Sequence, residues 1–184
     1  MRGGAAGLIG WRSLRMAGDG RRIGLNGFGA AAHILTRVCR WQGREVYAFT
    51  RSGDEAAQTM ALSLGAHWAG SSDALPPEPL DAAVIFAPVG ALVPLALTAV
   101  RKGGRIVCGG IHMSDIPKFP YYLLWEERHL LSVANLTRRH RVHRHRSAGR
   151  RQDDNHVYPL AQANKALADL DAGRFQGAAE LGRA

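Results

Sequence analysis

Apolar residues in this chain follow two alternating rhythms. Short continuous runs have the length and composition of buried strands. They are Ile23 to Asn26, Val46 to Phe49, Ala66 to Ala69, Leu80 to Ala87, Arg105 to Cys108 and Leu130 to Ala134. Between them, apolar residues recur three, four and seven positions apart, as on a helix face. This helical spacing covers residues 5–17, the thirteen residues after Gly29, Gly53 to Leu64, 91–100 and 161–170, with a shorter helix from Tyr121 to Arg128. In the helix after Gly29 the expected packed face is His33, Ile34, Arg37, Val38 and Trp41. Asp19-Gly20, Gly43, Gly65 and Gly103-Gly104 stand where these elements must stop, and Pro94 is tolerable only in a first helical turn.

Strand, helix and strand within about 30 residues, repeated, demand a parallel sheet with right-handed crossovers. The expected fold is α/β, a doubly wound, mostly parallel, Rossmann-like sheet forming a single domain. Its expected divisions are an N-terminal helix over 1–20, a core over 21–137, a basic irregular segment over 138–155, and a terminal helix with an edge strand (Gln176 to Leu181) over 156–184.

The first strand ends in a turn with chemical content. Gly27, Gly29 and Ala32 fit G-x-G-x-x-G/A, in which the first glycine permits the turn and the second lets a pyrophosphate reach the backbone. The N–H groups of Gly29, Ala30 and Ala31 would face that anion at the positive end of the helix dipole. At the end of the second strand, where a carboxylate would mark NAD(H), stand Thr50, Arg51 and Ser52. A planar guanidinium there suits a 2′-phosphate, so NADP(H) is favoured over NAD(H). The loops Ala87–Gly90 and Gly109–His112, at the ends of two further strands, are the other expected contact points with a dinucleotide.

Length and charge narrow the picture further. The 184 residues suit one well-buried domain, and no apolar run is long enough to span a membrane. The N-terminus lacks a convincing cleavage site, so no signal peptide is read there. Cys39 and Cys108 are isolated, which argues for a reducing, cytoplasmic setting and against structural zinc. The net charge of +9 is local, because Arg138 to Arg151 holds seven arginines and no acid. A solvated insert is the favoured reading of that tract, with compensating frame changes as another. Polyanion binding through it would be non-specific, which disfavours nucleic acid as a partner. Metal binding by His140, His143 and His145 is opposed by the neighbouring arginines. No catalytic residue and no metal ligand set is read anywhere in the chain. His112 and His67 are expected to be surface and structural residues, and His33 to lie near the pyrophosphate.

Several stretches together, IGLNGFGAAAH, SLGAHWAG, DAAVIFAPVGA, RKGGRIVCGGIHMSDIP, SVANLTR and YPLAQANKALADLDAGRFQG, resemble the medium-chain, zinc-dependent alcohol dehydrogenase family in its order and spacing. They cover roughly residues 5–137 and 156–180 and match its C-terminal, cofactor-binding half. The resemblance implies a nicotinamide-dinucleotide domain and hydride transfer between the cofactor and an alcohol or aldehyde. It implies cofactor contacts from Gly27, Gly29, Ala30, Ala31, Thr50, Arg51, Val89, Gly110 and Ile111, with Thr137 and Arg138 near the phosphates. Three departures stand beside it. The family's zinc-bearing N-terminal domain has no counterpart in these residues, so the chain alone is expected to be inactive, with that domain or a homo-oligomer as the implied partner. A truncated remnant is the alternative reading. Arg138 to Asn155 lacks the family's apolar helix pattern, and Ala178-Ala179-Glu180 replaces a basic residue beside the pyrophosphate.

Overall fold

The computed structural model describes residues 4–134, 155–172, 174 and 178–182. Thr137, Arg138 and the basic tract with its histidines lie outside the described residues. The chain divides into two compact units, Met1–Arg138 and Arg139–Ala184, where the sequence predicts one domain.

The first unit is a six-stranded sheet, every neighbouring pair parallel, in the order β3-β2-β1-β4-β5-β6. Its strands are β1 (Arg22–Asn26), β2 (Glu45–Thr50), β3 (Trp68–Ser71), β4 (Leu80–Ile85), β5 (Val100–Cys108) and β6 (His129–Ser132). The helices are α1 (Gly4–Ala17), α2 (Ala30–Trp41), α3 (Glu55–Ser63) and α4 (Leu92–Ala99). Two apolar clusters cover the two faces. Val46, Ala48, Ala82 and Val84 face α1 and α2, while Tyr47, Phe49, Ala83 and Ile85 face α4. That alternation is the two-residue period of a strand, and burial on both faces is why these runs carry almost no polar residues. Pro94 is the third residue of α4, inside the first turn, where its missing N–H costs nothing.

Several expectations shift. The buried stripe of α2 is Ala32, Leu35, Thr36 and Cys39 with His33; of the expected face His33 is buried and Val38 packs at the core's edge, while Trp41 is 57 % exposed. Ala32, the small residue at the third motif position, sits against the sheet and carries the residues three, four and seven further on with it. The third strand starts at Trp68 rather than Ala66, because Ala66 still closes the end of α3 by donating to Ala61 O. The fifth strand begins at Val100, with a register shift opposite Leu80 and Ala82 that absorbs Gly103 at φ +68°. Gly103-Gly104 is therefore a bulge within a strand and not a helix stop. From Tyr121 only one 3₁₀ turn forms, Tyr121–Leu123. Glu126 and Glu127 then adopt positive φ, which ends any helix.

In the second unit β7 (Asn155–Pro159) and β8 (Ala178–Gly182) pair in parallel as their own sheet, with α5 (Ala163–Asp171) between them. The last strand thus pairs with β7. Asp169 anchors this unit, accepting from Tyr158 Oη at 3.1 Å and Arg174 Nη1 at 2.7 Å. No helix among the described residues is long and apolar enough to cross a membrane.

Charge gathers at the amino ends of the strands. Asp81 accepts from the backbone N–H of Arg21 (2.7 Å) and Arg22 (2.9 Å) and from Arg101 Nε (2.6 Å). Burial raises its pKa, but the Arg22 N–H, the Arg101 guanidinium and the Arg21 N–H together outweigh that and hold the carboxyl below its ordinary value. A depressed carboxylate pKa stabilises the fold above the unfolded value of about 4 and loses that contribution as pH falls through the folded value. Asp81→Ala should therefore cost about 2 kcal/mol at neutral pH. Urea melts of the two proteins should converge in acid, below that window.

Candidate cofactor-binding site

The carboxyl ends of β1, β4, β5 and β6 are held side by side by backbone bonds that continue past the strands. Phe86 N and Ala87 N donate to Asn26 O at 2.8 and 3.3 Å. Gly109 N and Gly110 N donate to Ile85 O at 2.8 and 3.1 Å, and Val133 N donates to Cys108 O at 3.0 Å. Strand order reverses between β1 and β4, so a crevice must open there, the position where doubly wound sheets take ligands.

The glycine turn lies at this switch point. Gly27 has φ +87°, and a Cβ on it would lie 2.7 Å from Ala87 N and 2.8 Å from Ala87 Cβ. Both the backbone angle and the neighbouring strand forbid a side chain. Gly29 differs, with extended backbone and no protein atom within 4 Å of a built Cβ. Nothing in the protein itself requires a glycine there, and the space above it is open. Gly29 is also the N-cap of α2, whose first helical bond runs from His33 N to Gly29 O at 3.0 Å. No side chain caps this helix, so the first-turn N–H groups, including those of Ala30 and Ala31, have neither an intrahelical acceptor nor a capping oxygen. Together with the dipole they make an anion site that admits backbone contact at Gly29. His33 is buried below the turn with its ring 4.9 Å from that of Phe28, so it supports the turn from inside.

At the end of β2 the two expected residues part company. The Thr50 hydroxyl is turned into the protein, near Gly70 O at 3.4 Å and accepting from Gln58 Nε2 at 3.2 Å. Arg51 is exposed in the turn to α3, and among the described residues no carboxylate pairs with it. Asp54, the nearest acid in sequence, caps α3 by accepting from Ala57 N at 3.0 Å.

The loops after β4 and β5 supply apolar surface. Val89 is 43 % and Ile111 73 % exposed, and Gly110 is close-packed, a Cβ there falling 3.1 Å from Phe86 O. None of the segments 27–29, 86–90 and 109–113 contains an acid, while Asp73, after β3, lines the cavity beside Asn26. His112 is exposed with φ +57°, a left-handed conformation uncommon outside glycine, and His67 packs its ring 5.5 Å from Tyr47. The structure adds Ser114, which sequence reading passes over. Its hydroxyl reaches Gly90, 24 residues away, a partnership no local pattern signals.

The thiols are inert. Burial pushes the Cys39 pKa up to about 12 against a lowering by Arg44, and burial also raises that of Cys108. Both stay protonated at neutral pH, unlike a thiolate nucleophile or zinc ligand. Among the described residues no three His, Cys, Asp or Glu side chains converge to hold a metal ion.

Comparison with known proteins agrees with this geometry. No family model matches the chain. It is 44 % identical over 185 aligned residues to the "Probable alcohol dehydrogenase AdhA" of Mycobacterium tuberculosis, covering 96 % of this chain and 52 % of that protein. The chain thus spans about half the length of the curated relative it matches. Among solved structures, a thermostable alcohol dehydrogenase from Pyrobaculum aerophilum superposes with TM-score 0.76 at 24 % identity, covering 94 % of this chain and 54 % of that one. Acetophenone reductase from Geotrichum candidum, in complex with NAD, gives 0.74 at 18 %, covering 94 % and 52 %. At such identities the structural likeness speaks to the fold.

The two motif glycines should separate in mutational tests. Gly27→Ala meets both a left-handed angle and Ala87, and should destabilise by about 2 kcal/mol or more. Gly29→Ala enters open space at an N-cap and should cost about 1 kcal/mol at most. Denaturant melts of the two variants check this directly.

Proposed function

This chain belongs to the medium-chain, zinc-dependent alcohol dehydrogenase family, matching its cofactor-binding half, and on that premise we propose that it binds NADP(H) in preference to NAD(H). The observation that carries dinucleotide binding is Gly29, a glycine that the protein's own packing does not require, at the uncapped start of a helix, and the preference rests on the exposed Arg51 at the end of β2. Backbone N–H groups of Gly29, Ala30 and Ala31 would hold the pyrophosphate, with Gly27 shaping the turn. Arg51 would pair with the 2′-phosphate through its planar fork. Val89, Gly110 and Ile111 would line the nicotinamide half, and Thr50 contributes by fixing the end of β2 beside Arg51. When bound, the nicotinamide ring supplies the hydride donor or acceptor for interconverting an alcohol and an aldehyde. The described residues fit the dinucleotide but offer no ligand set for the zinc of that family, so alcohol activation is not assigned to them. We hold these 184 residues, by themselves, to bind cofactor without turnover.

Calorimetric titration of the full chain tests this reading. NADPH should bind about tenfold tighter than NADH, the value of one exposed charge-assisted pair. Arg51→Asp should abolish that preference while leaving NADH binding in place. Gly29→Val should melt cooperatively yet bind neither, because its side chain occupies the space a pyrophosphate needs. A wild-type chain that binds neither dinucleotide, or an Arg51→Asp variant that keeps the preference, would overturn the proposal.

A further inference from the structure

The loops after β4 and β5 belong to different strands, and beyond their shared bonds to Ile85 O they are joined at their outer parts through Ser114. Gly90 N donates to Ser114 Oγ at 2.9 Å, and Ser114 N donates back to Pro88 O at 3.2 Å. The two backbones touch as well. A Cβ on Gly90 would lie 2.5 Å from Ser114 O and closer still to Asp115 O, so the fit depends on glycine. On the β5 side the chain doubles back through His112, whose φ of +57° makes the bend that returns Ser114 to Pro88. Positive φ at a non-glycine residue costs on the order of 1 kcal/mol or more and persists only where the surroundings impose it. The Ser114 bonds close the chain two residues beyond that bend.

The latch has consequences for what it carries. Val89 lies between its two attachment points, Pro88 and Gly90, and Ile111 lies three residues before Ser114. Both side chains stand in water, on loops whose bases are held through Ile85 O and whose outer parts are joined through Ser114. We propose that Ser114 is a positioning residue for the nicotinamide half of the cofactor, locking Val89 and Ile111 at the separation that an apolar ring needs. This rests on the cofactor reading given above. Ser114 touches no ligand. It removes the ordering cost that two mobile loops would otherwise impose on binding. Its influence ends at these two loops, because Arg51 and the end of β2 share no contact with the latch among the described residues.

The test splits the ligand. The full chain and its Ser114→Ala and Ser114→Thr variants are titrated with NADPH and with 2′,5′-ADP, which carries the adenosine half and the 2′-phosphate but no nicotinamide. Ser114→Ala should bind NADPH about tenfold more weakly and 2′,5′-ADP unchanged, the loss of one hydrogen bond appearing as loop disorder. Ser114→Thr, which keeps the hydroxyl on an exposed residue, should restore NADPH binding. Equal weakening of both ligands would mean a general structural role, and no weakening of either would mean an idle contact. Either result overturns the proposal while leaving the cofactor reading intact. A wild-type chain that binds neither ligand would instead defeat the cofactor reading itself.

Discussion

The close approach of β1 and β4 at their carboxyl ends is the constraint on which the site depends. Asn26 O accepts from both Phe86 N and Ala87 N, which draws the loop after β4 against the turn after β1. A Cβ on Gly27 would meet Ala87 there, so the first motif glycine is demanded by the neighbouring strand as much as by its own positive φ. With that contact made, Gly29 is carried to the start of α2 with open space before it. The loops after β4 and β5 then follow in register through Ile85 O. Each step is a backbone bond, which tolerates many side chains and few displacements.

Charge is distributed to match. The amino ends of the strands are tied by ion pairs, Arg21–Glu45 at 2.7 Å, Arg22–Glu78 at 2.8 Å and Arg101–Asp81 at 2.6 Å. Most of these are exposed and contribute little individually. Asp81 is the exception, since it also accepts two backbone N–H groups and joins β1 to β4 at the end opposite the crevice. The turns 27–29, 86–90 and 109–113 bring glycines and apolar side chains to the carboxyl ends, while Asp54 and Asp73 follow β2 and β3. An anion approaching the start of α2 meets N–H groups, with the exposed Arg51 at the end of β2.

Much of this was legible in the chain. The strands, their parallel pairing and the glycine turn follow from runs of apolar residues and from where glycine interrupts them. Those signals are local, and burial on both faces confines most polar residues to the strand ends. The α2 stripe was harder, because Ile34, Val38 and Trp41 are the larger apolar residues and a periodicity argument weights them. Packing against a sheet rewards the small Ala32 instead, and Trp41 is left in water. The bulge at Gly103 and the aborted helix at Tyr121 were likewise hidden, since each turns on positive φ imposed by partners elsewhere in the fold.

Consecutive residues were enough to give the order of elements, the place of the glycine turn and the lack of an acid at the end of β2. Tertiary contacts were needed to place Gly27 against Ala87, to turn the Thr50 hydroxyl inward while Arg51 is exposed, and to join two loops through Ser114. The pairing of the last strand with β7 belongs with these. These are relations between residues far apart in the chain. Their physical basis is excluded volume and hydrogen-bond geometry in three dimensions, which no run of neighbours encodes.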